Sequence, residues 1–118
     1  MKKFDHEKLE VYKASIEFVA AANKVVQSLP RGKTYLVDQL QRAAASIPLN
    51  IAEGAGEFSP KEKARFYRIA RRSANECAAI LDVCVSLDLV SPDDISEPRE
   101  ILVQIVAMLV GLIKPKKE

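Results

Sequence analysis

The clearest helix signal in the chain lies in residues 59–87, SPKEKARFYRIARRSANECAAILDVCVSL. Ser59 is a suitable N-cap, Pro60 suits the first helical position, and Glu62 lies where a capping-box acid is expected. Small and apolar residues then recur in steps of four and three from Phe66 to Leu87, which is the period of one helix face. We therefore predict a single long helix of about 28 residues, or ~42 Å.

Proline and glycine divide the rest of the chain into three further segments with a helical period. The first ends at Pro30, and one helix face, apolar except for Asn23, contains Leu9, Tyr12, Ile16, Val19, Asn23 and Val26; Val11, Phe18 and Val25 widen it. The second runs from Thr34 to the glycine caps Gly54 and Gly56, with an apolar stripe of Leu36, Leu40, Ala43, Ile47 and Ile51. Pro48 lies inside this stripe without interrupting it, which indicates one kinked helix.

The fourth segment begins near Ser91-Pro92 or Ser96-Pro98 and ends at Lys114, before Pro115. No stretch alternates with period two, so we expect no strand. Short loops make successive helices reverse direction. The prediction is an all-α protein, an antiparallel up-down four-helix bundle with a kinked second helix, formed by one domain spanning residues 1–118.

Composition excludes several classes of protein. The chain has 118 residues, 48% of them hydrophobic, a net charge of +2, one histidine and two cysteines. A single histidine disfavours histidine-based catalysis and metal sites, so we expect no enzyme, no metal and no cofactor. The longest apolar run, Ile101–Ile113, is too short to span a bilayer. With Cys77 and Cys84 interpreted as reduced core residues, we expect a cytoplasmic protein with no membrane partner.

The fourth helix is more apolar than its own bundle requires. The stripe Leu102, Ile105, Leu109 and Leu112 suffices to face the core. A second set then points elsewhere: Val103, Val106, Val110 and Ile113. Either the neighbouring helices cover these side chains, or they form a subunit interface in a homo-oligomer. We favour the interface.

The net charge is close to zero, but basic and acidic residues are concentrated in different segments of the chain. Residues 61–72 have a local net charge of +5, from Lys61, Lys63, Arg65, Arg68, Arg71 and Arg72 against one acid, whereas residues 88–100 have a local net charge of −4. Lys61, Arg65, Arg68 and Arg72 share one helix face. This face is a solvated surface, a contact with the acidic segment of another subunit, or a phosphate-binding surface. Tyr67 is the one aromatic that interleaves the cations, which gives base stacking little support.

A polar cluster lines one side of the second helix: Arg42, Ser46, Asn50 and Glu53. We interpret it as structural, with Ser46 and Asn50 satisfying backbone groups at the Pro48 kink and Arg42 pairing with Glu53 or with Glu76 of the third helix. The alternative is a polar active pocket built on Arg42, Asn50 and Glu53. No histidine or activated nucleophile lies nearby, which favours the structural interpretation.

Two runs in the second segment, QLQRA at residues 39–43 and SIPLNIAEG at residues 46–54, carry a family resemblance. They resemble the signature of the four-helix-bundle proteins encoded in intervening sequences of bacterial 23S rRNA genes, and the resemblance covers nearly the whole chain. It implies a homopentameric ring and no established enzymatic activity. A related protein, the accessory variability determinant of diversity-generating retroelements, is similar in fold and binds nucleic acid and a reverse transcriptase through a basic surface.

The resemblance and the charge pattern lead to one functional expectation. We expect a non-catalytic homo-oligomer that associates with RNA or DNA through its basic helix face. The alternative is an adaptor for a protein partner that binds no nucleic acid and uses the basic face between subunits.

Overall fold

The computed structural model describes residues 2–115 and contains, within this range, one 3₁₀ helix, four α-helices and no strand. The elements are a 3₁₀ helix at Asp5–Lys8, α1 at Glu10–Ser28, α2 at Thr34–Ala55, α3 at Pro60–Ser86 and α4 at Ser96–Ile113. The prediction of an all-α fold with four helices is confirmed.

The start of α3 follows the capping signal in the sequence. The Ser59 hydroxyl accepts a hydrogen bond from the Glu62 backbone N–H at 3.3 Å, and Pro60 occupies the first helical position. This bond satisfies one of the donors that a helix start leaves unpaired. The helix that follows is 27 residues long, close to the predicted length.

The end of α3 is a Schellman motif with an unusual residue in its left-handed position. Asp88 has a φ of 59° where glycine is the usual residue. The Asp88 N–H donates to the Val85 carbonyl and the Leu89 N–H donates to the Cys84 carbonyl, both at 3.0 Å. The last carbonyls of α3 are thereby satisfied at the expense of a strained aspartate backbone.

The helices enclose one hydrophobic core. Consecutive α-helices pack against each other, and α1 also packs against α4. The predicted stripe of α2 is buried throughout, and α2 continues through Pro48, which is itself buried. The largest fully buried side chains come from all four helices: Phe18, Leu40, Ile47, Ile51, Leu81, Ile105 and Leu109.

The core-facing side of α1 differs from the predicted one. The buried residues are Val11, Ser15, Phe18, Ala22 and Val25, so the stripe expected to widen the face is the one at its centre. The predicted main stripe lies at the flank, with Ile16 46% exposed. A buried serine at the centre is tolerated because the Ser15 hydroxyl donates to the Tyr12 carbonyl at 2.6 Å.

Gly54 has a different role from the cap predicted for it. It lies inside α2, and Gly56 is the C-cap. A β-carbon added at Gly54 would lie 2.7 Å from Cε1 of the buried Tyr67 side chain and 3.2 Å from the Lys63 carbonyl oxygen. Gly54 therefore allows the end of α2 to approach α3 closely at this point.

Core residues of α4 follow the predicted stripe in part. Leu102, Ile105 and Leu109 are buried together with Ile101, whereas Leu112 is 42% exposed. Within residues 2–115 no helix has the length and apolarity needed to cross a membrane.

Candidate nucleic-acid interface

Four cations form a line on the solvent side of α3, here called the α3 basic face: Lys61, Arg65, Arg68 and Arg72. Lys61, Arg65 and Arg72 are exposed, and Arg68 is half-buried. The line follows from their spacing of four, three and four residues, opposite the buried Ala70 and Ala74. It extends over twelve residues, with about 17 Å of helix between the first and the last.

The side chain of Lys63, also predicted to bind nucleic acid, lies away from this face. Its ammonium donates to the Ala55 carbonyl at 3.0 Å and to the Gly54 carbonyl at 3.4 Å. These are among the last carbonyls of α2, where a cation is favoured by the unpaired acceptors and the helix dipole. Lys63 is thus engaged in holding the end of α2 on α3, whereas the sequence predicts a contact with nucleic acid.

Arg65 is exposed and contacts two neighbouring side chains of α3. Its Nε donates to Glu62 Oε2 at 2.8 Å, and its guanidinium carbon lies 4.3 Å from the centre of the Phe66 ring. A solvent-exposed ion pair of this kind contributes about 0–1 kcal/mol, so a phosphate can replace the carboxylate at little cost.

The remaining cations of the segment differ in exposure. Arg71 is half-buried and lies off the α3 basic face, although it was predicted to belong to the interface. Within residues 2–115 the ion pairs join Lys8 to Asp5, Lys13 to Glu10 and Arg65 to Glu62, so Lys61, Arg68, Arg71 and Arg72 have no acidic partner there. Three members of the α3 basic face therefore carry charge that no carboxylate of the described chain compensates.

The acidic segment lies far from the basic face within one molecule. All five acids of residues 88–100 are exposed, in the connection after α3 and the first turns of α4: Asp88, Asp93, Asp94, Glu97 and Glu100. The length of α3, about 40 Å, separates this segment from the start of the basic face. The Ser91 backbone N–H donates to the Asp94 carboxylate at 2.9 Å, and this hydrogen bond is the main reason that the pKa of Asp94 is lowered.

An exposed aromatic residue, Phe58, lies at the start of the basic face and was not predicted from the sequence. Tyr67, the aromatic considered for stacking, is buried in the core and cannot reach a ligand. Phe58 immediately precedes the N-cap Ser59 and is 98% exposed. A hydrophobic residue before an N-cap normally packs on a hydrophobic residue at the fourth helical position, but that position holds Lys63. A lysine at position 63 therefore indicates, from the sequence alone, that Phe58 has no hydrophobic residue at the fourth helical position to pack on.

The polar cluster of α2 divides into a bonded part and an exposed part. The Asn50 amide donates to the Ser46 carbonyl at 2.8 Å and to the Ser46 hydroxyl at 2.9 Å, and the Ser73 hydroxyl of α3 lies 2.8 Å from that same hydroxyl. This network ties α2 to α3 close to Pro48. Ser73, absent from the predicted set, supplies the link across the helices.

The exposed part of the cluster contains no ion pair. Arg42, Glu53 and Glu76 are all exposed, and Arg42 pairs with neither acid in the part of the chain that the structure describes. The predicted pairing is therefore corrected: each side chain points into solvent, where a salt bridge gains little. The groove beside Glu53 is lined by the 3₁₀ helix and the end of α2, and Arg42 and Asn50 do not reach it. These residues do not converge on an active pocket.

The predicted interface residues of α4 are unequally exposed. Val103 is 55% exposed, whereas Val106, Val110 and Ile113 are half-buried. Val106 and Ile113 pack against the edge of the core, since they lie at the flank of the buried stripe rather than opposite it. The outward apolar surface of α4 in a single chain is thus narrower than the sequence suggested.

Two other groups of reactive side chains offer no site. Cys77 and Cys84 are buried and unpaired, and burial, aided by the nearby Glu76 carboxylate, raises the pKa of Cys77 to about 12. Burial also raises the pKa of Cys84. Among the described residues no group of three or more His, Cys, Asp or Glu side chains is arranged to hold a metal ion.

Comparison with known proteins identifies the family. The model of the 23S rRNA-intervening sequence protein family matches residues 7–111, which is most of the chain. The chain belongs to this family. The resemblance seen in residues 39–54 is therefore confirmed. Among curated proteins, none matches the chain.

A solved structure shares the fold of this 23S rRNA-intervening sequence protein. It is the crystal structure of a protein of unknown function from the S23 ribosomal protein family of Bacteroides thetaiotaomicron. The two are 21% identical with a TM-score of 0.81, and the match covers 89% of this chain and 99% of the other. At this identity the likeness establishes the fold alone.

Proposed function

We propose that this 23S rRNA-intervening sequence protein is a non-catalytic homo-oligomer that associates with RNA or other nucleic acid through the α3 basic face. The observation that carries the proposal is the line of Lys61, Arg65, Arg68 and Arg72, three of which have no acidic partner among residues 2–115. Lys63 is excluded from the contact set because it binds the end of α2. Arg71 flanks the face.

The spacing of these cations suits a phosphate backbone. Side chains three or four residues apart on a helix are about 5–6 Å apart at their β-carbons, so flexible arginine and lysine side chains reach successive phosphates. Each phosphate contact releases condensed counterions and makes the affinity depend on salt. Arginine adds a planar fork of donors that matches two phosphate oxygens. The face is therefore suited to sequence-independent backbone binding.

The assembly belongs to the same proposal. Connections of five, four and nine residues between the helices support an antiparallel up-down order, since short connections make neighbouring helices reverse. Val103, Val106, Val110 and Ile113 are proposed to meet a second copy, and the family resemblance suggests a ring of five. A ring repeats the α3 basic face around its circumference and multiplies the avidity for a long polyanion. We expect the assembly to reside in the cytoplasm.

The exposed acids of residues 88–100 support a second candidate function. In an adaptor, the α3 basic face of one subunit pairs with the acidic segment of the next, and a protein partner binds elsewhere. Pull-down after nuclease treatment separates the two functions: partners retained through nucleic acid are lost, whereas direct protein partners remain.

Fluorescence anisotropy with a labelled RNA that contains both a hairpin and an unpaired tail tests nucleic-acid binding. Arg68→Ala/Arg72→Ala is expected to weaken binding about tenfold or more, equivalent to ~1.4 kcal/mol. Lys24→Ala/Arg42→Ala removes the same charge from exposed positions on α1 and α2 and serves as the matched control. Equal weakening by both variants, or no binding by the wild type, contradicts the proposal.

A further inference from the structure

The α3 basic face has an aromatic neighbour at its start. Phe58 is the most exposed large hydrophobic residue of the described chain, at 98%, compared with 74% for Phe4 and 65% for Leu49. Phe58 lies three residues before Lys61, so their α-carbons are at most about 10 Å apart. A single exposed phenylalanine is ordinary by itself, but one beside a line of cations has the composition of a site for nucleic acid.

A second flat surface lies further along the same face. The guanidinium carbon of Arg65 lies 4.3 Å from the centre of the Phe66 ring, and the Arg65 side chain is exposed. Guanidinium planes stack on nucleic-acid bases as aromatic rings do. Phe58 and Arg65 are seven residues apart, with Lys61 between them. The order along the surface is thus aromatic ring, cation, guanidinium plane, and then the cations Arg68 and Arg72.

Acidic side chains limit the direction a bound strand can take. Glu53 and Glu57 line the groove between the end of α2 and the 3₁₀ helix, together with Asp5. These carboxylates, one of them on the residue next to Phe58, disfavour phosphates in that groove. A strand whose base contacts Phe58 is therefore directed along α3 rather than across the end of α2.

We propose that Phe58 and the α3 basic face together bind an unpaired stretch of nucleic acid, with a base stacked on the Phe58 ring and phosphates over Lys61, Arg65 and the arginines beyond. This inference rests on the proposed function and narrows it from nucleic acid in general to single strands, loops and overhangs. In a duplex the faces of the bases are already covered by their neighbours, so an exposed ring has nothing to stack on except at an end. In an unpaired strand every base offers a face.

Three variants test the proposal by anisotropy with two ligands. One ligand is an unstructured oligouridine of about twelve nucleotides, within the length that one single-strand site covers, and the other is a blunt-ended RNA duplex of two separate strands, which has no loop. Phe58→Ala is expected to weaken oligouridine binding about fivefold or more and to leave duplex binding unchanged. Phe58→Leu keeps an apolar side chain without a ring and is expected to lose as much. Leu49→Ala, which truncates an exposed apolar residue of α2, is the matched control and is expected to bind both ligands as the wild type does.

A spectroscopic test reports the stacking itself. The chain contains no tryptophan, so Phe58→Trp introduces a single indole. Saturating oligouridine is expected to quench its fluorescence by at least about half, since a stacked base lies directly on the ring. Tyr35→Trp places the indole at the exposed start of α2 and is expected to show no quenching.

The outcomes separate this proposal from the function on which it rests. If Arg68→Ala/Arg72→Ala weakens binding while Phe58→Ala does not, or if bound oligouridine leaves the Phe58→Trp variant unquenched, the stacking proposal is wrong and the proposed function stands. If the wild type binds neither ligand, both are wrong. If Phe58→Ala instead changes the particle mass in light scattering, the ring contacts a second copy of the chain, and the stacking proposal is again overturned.

Discussion

Replacing Gly54 by alanine tests the close approach of α2 to α3 at Tyr67. The added β-carbon would lie 2.7 Å from Cε1 and 2.9 Å from Cδ1 of Tyr67. Favourable carbon contacts require about 3.5–4.0 Å, so ring or helix must move by nearly 1 Å. The Tyr67 side chain is only 5% exposed and has little room. Overpacking costs about 1–3 kcal/mol, and we expect the upper part of that range, about 2–3 kcal/mol, because the ring cannot easily move away. The better helix propensity of alanine offsets about 1 kcal/mol of this cost.

We therefore expect Gly54→Ala to lower the free energy of unfolding by about 1–2 kcal/mol, measured by urea denaturation at fixed protein concentration. Gly56→Ala is the control, because its β-carbon meets only ordinary contacts at 3.6 Å, and it is expected to change stability by less than about 0.5 kcal/mol. In a Tyr67→Ala background the cost of Gly54→Ala should fall by about 1 kcal/mol or more. A neutral Gly54→Ala, or an equal cost in both backgrounds, would refute the steric explanation.

Three further predictions concern other parts of the fold. Asp88→Gly is expected to raise the free energy of unfolding by about 1 kcal/mol in the same denaturation assay, because it relieves the left-handed aspartate and removes a carboxylate from a helix C-terminus; a destabilised variant would contradict this. The raised pKa of Cys77 keeps its thiol protonated in the folded state, so the free energy of unfolding should be unaffected below about pH 9 and fall between pH 9 and the folded pKa of about 12. A disulfide reagent at about pH 8 should label Cys77 and Cys84 only as fast as the chain unfolds, and prompt labelling would show the core to be open. Val103→Glu/Val110→Glu is expected to reduce the particle mass in light scattering, and a wild type that is already monomeric would exclude an α4 interface.

Local signals explain how much of the fold the sequence predicts. The Ser59 cap and the first-turn Pro60 are set by residues adjacent in sequence, and both lie in the structure as predicted. The α2 stripe is equally clear, because its apolar residues outnumber any competing face. Where only one cap or one apolar stripe is present in a segment, the sequence is sufficient to predict the end of the helix or its buried face.

The sequence-based predictions are wrong where the position of a residue depends on how one helix packs against another. On α1 two apolar stripes compete, and the sequence alone does not show which of them the other helices cover. The structure buries Val11, Ser15, Phe18, Ala22 and Val25. Gly54 looked like a cap, but its role depends on Tyr67 of another helix. The contact between Lys63 and the end of α2 is likewise invisible in a charge count.

The sequence predicts the charge of the candidate site, but not which of its cations remain open to a ligand or that Phe58 is exposed beside them. The helical spacing of Lys61, Arg65, Arg68 and Arg72 is enough to align them on one face. Which cations remain open depends on where the end of α2 lies, and this removes Lys63 from the set. The exposure of Phe58 depends on the same residue, since Lys63 occupies the position where an apolar partner would lie.

The salt dependence of oligouridine binding tests phosphate neutralisation by the α3 basic face most directly. Four phosphate contacts on a single strand predict a slope of about −2.8 when the logarithm of the binding constant is plotted against the logarithm of the salt concentration. Arg68→Ala/Arg72→Ala leaves two of these contacts and should change the slope to about −1.4. Lys24→Ala/Arg42→Ala should keep the wild-type slope. A slope near zero for the wild type, or one that the loss of Arg68 and Arg72 leaves unchanged, would contradict binding at this face.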